Sequence, residues 1–103
     1  MFSMQHKSSA KRILEKSVED YLVERVEALG GVAEKVVALG GRGYFDRVAV
    51  LPGPRIIFVE AKKPKGSRIS VHQRTRHSVY RALGAEVAVV KTFEDVDRLM
   101  TKA

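Results

Sequence analysis

The sequence predicts an α/β domain with a mixed central sheet flanked by helices. Three observations predict it. A stripe of apolar residues at helical spacing opens the chain. Two runs rich in Val, Ile and Phe follow, parted by Pro52-Gly53-Pro54. A second helical segment, a further β-prone run and a last helix then complete the order α-β-β-β-α-β-α.

Each element has a local cause. Leu14, Val18, Tyr21, Leu22, Val26 and Leu29 recur at three- and four-residue steps, which predicts an amphipathic helix over residues 8–29. Gly30-Gly31 stops it, because glycine accepts the left-handed conformation of a helix end. Residues 32–37 read as a short strand, and Gly40, Gly41 and Gly43 mark a loop around Arg42. Residues 45–51 and 55–61 form a β-hairpin. Both arms are apolar on both faces, so the sheet is expected to be covered on each side. Residues 62–68 are a polar loop. Ser70 caps a helix reaching Leu83, with Gly84 as its stop. Residues 86–91 are a strand, and Thr92 caps the last helix, whose first turn holds Glu94 and Asp95.

A chain of 103 residues suits one domain. Residues 1–12 read as a basic N-terminal arm and residues 13–103 as the domain proper. The net charge of +7 favours a polyanionic partner, since Lys and Arg displace counterions condensed on nucleic acid. With no cysteine, disulfides, thiolate metal sites and a cysteine nucleophile are excluded. No apolar stretch approaches the ~20 residues of a membrane span. The start lacks the apolar core of a secretory signal, and an intracellular setting is expected. Gly40-Gly41-Arg42-Gly43 is no phosphate-binding P-loop, because no Gly-Lys-Ser/Thr follows.

The chemistry concentrates on the hairpin. Asp46 and Glu60 lie seven residues to either side of Gly53. A symmetric turn would make them cross-strand neighbours with Cβ atoms about 4.5–5.5 Å apart. Like charges so placed need neutralising, and hard oxygen ligands favour Mg²⁺ or Mn²⁺. Lys62 shares a face with Glu60, two residues on. A surface salt bridge is the plain alternative for either residue alone; the combination points to a catalytic centre.

Gly43-x-x-Asp46 followed by Phe58-Val59-Glu60-Ala61-Lys62 resembles the PD-(D/E)xK nuclease superfamily, whose core is restriction-endonuclease-like, αβββαβ. More narrowly, residues 15–100 resemble the virus-type replication-repair nuclease domain, VRR-NUC, which is similar to Holliday junction resolvases. The first helix (Glu15 to Leu22), Gly30-Gly31 and Gln73 also carry the likeness. The family has proline before the aspartate where this chain has Phe45. Proline is not a ligand, so the difference touches the start of the strand and not the chemistry.

The resemblance implies roles. Asp46, Glu60 and the Ala61 carbonyl would bind the metal, Lys62 would position water or stabilise charge on the phosphate, and Glu19 would complete the site. Glu15, four residues earlier on the same helix face, competes with Glu19. Gln73 is either half of a capping box with Ser70 or a companion of the active site, or both. Lys35, Arg42, Lys63, Lys65, Arg68, Arg74 and Arg76 are candidate phosphate contacts. His72 and His77 are five apart, not ligand spacing, and read as polar or DNA-facing. The implied activity is structure-selective cleavage of DNA, with resolution of four-way junctions by a homodimer in repair or recombination. A phage or prophage protein in a bacterial cytoplasm would fit. The rivals are a non-catalytic nucleic-acid-binding module and a nuclease acting on flaps or ends.

Overall fold

The computed structural model describes residues 17–37, 44–63 and 68–102. The arm at residues 1–12, the helix expected before residue 17 with Glu15, the glycine loop with Arg42, and Lys65 lie outside the described residues. The observed elements are α1 (Ser17–Ala28), β1 (Val32–Lys35), β2 (Arg47–Leu51), β3 (Arg55–Ala61), α2 (Val71–Ala82), β4 (Glu86–Val90) and α3 (Phe93–Thr101). The order matches the one read from the sequence. β3 has the bounds expected, and the other three strands are shorter by a residue or two.

The four strands stand in the order β1-β2-β3-β4. β1–β2 and β2–β3 are antiparallel, and β3–β4 is parallel. A parallel neighbour needs a crossover, which α2 supplies. β3 is therefore central, and its alternation sorts the molecule into two layers. Ile57 and Val59 point to one side and are fully buried with Val18, Leu22 and Val26 of α1 and Val96, Leu99 and Met100 of α3. α1 and α3 are joined by the Tyr21 hydroxyl, which donates to Asp97 Oδ1 at 2.7 Å, and by Tyr21 stacked on Phe93 at 4.0 Å. Phe58 and Glu60 point to the other side, toward α2.

That second side is covered only in part. α2 lies over Phe58, whose ring packs edge-on against Tyr80. Toward the hairpin turn, Val50 and Ile56 are 41% and 54% exposed, and Val32 continues the row on β1. Both-face apolarity thus overstates the cover, because α2 is short and sits over the end of the sheet opposite the turn.

The passage from α1 to β1 is tight. Gly30 has φ +88°, the left-handed end of a helix, and the Gly31 N–H donates to the Val26 carbonyl at 3.0 Å. A Cβ on Gly31 would lie 2.3 Å from the Val50 carbonyl oxygen. Backbone cannot yield as a flexible side chain can, so Gly31→Ala is expected to destabilise the domain by about 1–3 kcal/mol. A lowered urea midpoint with unchanged slope would register the loss.

Candidate active site

β3 delivers Glu60 into the layer between sheet and α2, where it is 4% exposed. Its Oε2 takes two donors: Lys62 Nζ lies 3.1 Å away and Gln73 Nε2 donates at 3.1 Å. Lys62 follows on the same face, its backbone N–H still bonded to the Val90 carbonyl of β4 at 2.9 Å. Gln73 comes from the first turn of α2. Its other amide atom, Oε1, accepts from the Ser70 N–H at 3.3 Å, while Ser70 Oγ accepts from the Gln73 N–H at 3.0 Å. The capping box and the contact with the acid are therefore both present, in one side chain.

Asp46 arrives just ahead of β2. Its N–H donates to the Val59 carbonyl at 2.9 Å, although Arg47 is already the partner of Val59. Two residues facing one make a β-bulge, which re-aims a side chain. The pairing of Asp46 with Glu60 is thus not the regular rung expected from a symmetric hairpin. Asp46 Oδ2 instead accepts from the Ala61 N–H at 2.7 Å, beside Glu60. Asp46, Glu60, Lys62 and Gln73 are brought together.

Two charges compete at Glu60. Burial raises its pKa, and so does the neighbouring Asp46 carboxylate; Lys62 and Gln73 oppose both without cancelling them. Each acid also has one oxygen tied to the protein. Among the described residues, Glu60 Oε1 and Asp46 Oδ1 accept no hydrogen bond.

Glu19 is held elsewhere. Its Oε2 accepts from Arg47 Nε at 2.7 Å and Lys35 Nζ at 3.1 Å. Burial would raise its pKa, but the two cations outweigh this and the net direction is down. Arg47 shares the α1 face with its partner Val59, so Glu19 is fixed on the side of the sheet away from Glu60. Among the described residues, no three His, Asp or Glu gather as a cation cage. Of the basic residues expected at DNA, Lys35, Lys63, Arg68 and Arg74 are exposed and Arg76 is half-buried.

His77 corrects its reading as polar or DNA-facing. It is 2% exposed, and its Nε2 lies 3.0 Å from the Tyr44 carbonyl, so this nitrogen carries the proton and donates. Phe45 stacks on its ring at 4.8 Å and meets Phe58 and Tyr80 at 5.2 and 5.1 Å. The departure at position 45 thus has a physical reason: the phenyl ring fills the space beneath α2. The sequence held a signal for this, since Gln73, His77 and Tyr80 recur at helical spacing and define the face of α2 turned to the sheet. Arg47 carried no such signal.

An α/β domain with paired acids and a lysine at one end of its central strand has the organisation of a restriction-endonuclease-like nuclease. No family model matches the chain. The chain is 44% identical over 78 residues to "Putative nuclease p44" of Acyrthosiphon pisum secondary endosymbiont phage 1, a match that spans 76% of this chain and 83% of that protein. Among solved structures it is similar to a VRR_NUC domain, with a TM-score of 0.77 and 41% identity over 84% of this chain and 92% of that one. The chain belongs to the VRR-NUC family of nuclease domains, within the PD-(D/E)xK superfamily.

Because Glu60 has a raised pKa in the folded state, its contribution to stability is full below the unfolded-state value and lost as pH rises through the folded-state value. Its charge is therefore a liability at neutral pH. In metal-free buffer, Glu60→Gln should melt higher than the wild type at pH 7. The difference should vanish below about pH 4, where both side chains are neutral. Thermal melts followed by circular dichroism across this range check it.

Proposed function

We propose that this domain is a divalent-cation-dependent, structure-selective DNA endonuclease that acts on branched DNA, four-way junctions above all, as a homodimer. The observation that carries the reading is the meeting of Asp46 and Glu60, each with one oxygen that accepts no hydrogen bond among the described residues, beside the Lys62 amine. The donor set fits a hard cation such as Mg²⁺ or Mn²⁺: two neighbouring carboxylates repel each other, and carboxylate oxygens are the donors such a cation takes. Asp46, Glu60 and the Ala61 carbonyl would hold it. Such a cation supplies charge that polarises a phosphoryl group and acidifies the attacking water.

The chain's own residues set the rest. The Ala61 N–H and the bulge at Asp46 fix one acid, and Gln73 fixes the other. Lys62 carries the positive charge, placed to orient the water or to stabilise charge growing on the phosphate. Glu19, expected to complete the site, is held by Arg47 and Lys35 on the other side of the sheet and is given no part in it. Lys35, Lys63, Arg68, Arg74 and Arg76 are proposed contacts to the DNA backbone, with Arg42 and Lys65 from outside the described residues. A two-fold pair of such sites would cut two strands of a junction symmetrically. The phage origin of the relative supports a role in recombination or repair of DNA in a bacterial cytoplasm.

The test is incubation with matched four-way, flap and duplex DNAs in Mg²⁺ and Mn²⁺, with EDTA as the control. Cleavage of the branched DNA is expected, lost with EDTA and reduced about a hundredfold or more in Asp46→Ala and Lys62→Ala. Light scattering should give twice the chain mass. Full activity in Asp46→Ala would sink the site, and tight binding without cleavage in either metal would favour the non-catalytic module.

A further inference from the structure

The side of α2 that flanks Gln73 carries a guanidinium with unusual surroundings. Arg76 Cζ lies 5.2 Å from the ring centre of Tyr44 and 5.8 Å from that of Tyr80. Its Nε is buried and has no hydrogen-bond partner among the described residues. Arg47, Arg55 and Arg98 each hold a carboxylate. Arg76 forms no ion pair among the described residues.

Burying part of a guanidinium without a hydrogen bond is costly, and two aromatic faces return only part of that cost. What they provide is a fixed orientation. The planar fork, whose terminal amino groups have no partner among the described residues, is suited to a phosphate's paired oxygens. His72, one helical turn before Arg76, sets its exposed ring 5.2 Å from Tyr44. The cluster also lies beside the acids: Tyr44 stands two residues before Asp46, and Gln73, bonded to Glu60, follows His72.

We infer that Arg76, framed by Tyr44, Tyr80 and His72, is a built subsite for a DNA phosphodiester neighbouring the one that is cut. The proposal rests on the nuclease reading above and singles out one of its basic residues as an ordered site. The subsite places the strand and reads no sequence. Tyr44 and His72 thereby gain a role in positioning substrate.

The experiment measures binding of the full chain to a fluorescein-labelled four-way junction in EDTA, over a series of salt concentrations. Arg76→Ala is expected to weaken binding about five- to fiftyfold and to flatten the salt slope by about one unit. Arg76→Lys should recover less than half of that loss on a logarithmic scale, because an ammonium lacks the fork and the flat face. Tyr44→Leu, which keeps every charge, should also weaken binding. Arg98→Ala, on α3, should bind within twofold of the wild type. A single neutral methylphosphonate beside the cut position should weaken the wild type and leave Arg76→Ala unaffected. Melting curves establish that each variant is folded.

Arg76→Ala binding within twofold of the wild type at an unchanged slope would overturn the subsite, as would full recovery by lysine. Absence of cleavage by the wild type in Mn²⁺ would instead strike the nuclease reading. Binding in EDTA is read independently of that outcome.

Discussion

A buried carboxylate at the end of the central strand governs this end of the molecule. Glu60 is almost inaccessible, yet it has a second acid beside it, and among the described residues its own carboxylate is met by a lysine and an amide. A charge in that position must be compensated from every direction available. The local structure is organised accordingly. Lys62 is brought back by strand alternation, Gln73 by the first turn of α2, and Asp46 is held off by the Ala61 N–H. Two acids against one lysine leave this end of the sheet acidic.

α2 ties both acids to one rigid body. Gln73 grips Glu60 directly, and His77 grips the Tyr44 carbonyl two residues before Asp46. The stack of Phe45 on His77 stiffens the link. The spacing of the two acids is thus set by a helix as well as by the β2–β3 ladder. The opposite layer, with α1 and α3 closed over Ile57 and Val59, supplies the apolar burial that holds the ladder in place.

Much of this was legible in the sequence because it depends on local chemistry. Proline and glycine marked the hairpin, Ser70 and Thr92 marked helix starts, and two acids at equal distances from Gly53 marked the site. What was not legible depends on three-dimensional detail. Periodicity cannot show a bulge, so Asp46 read as a regular rung. It cannot say which strand end a short helix covers, so Val50 and Ile56 read as buried although both are exposed. Nor can it show that Glu19 is claimed by Arg47, a residue 28 positions away. The burial of His77 was latent in the spacing of α2 but needed the direction of that face to be known.

The double engagement of Gln73 limits what evolution can place there. Glutamate closes a capping box as well as glutamine does, and for a helix start alone the two are interchangeable. Here the amide's nitrogen end must face Glu60 while its oxygen end faces Ser70. A glutamate would keep the helix start and set a third negative group against two that already repel. The choice between two nearly isosteric side chains is therefore dictated by polarity at one atom, and the first turn of α2 cannot drift in sequence independently of the acid it serves.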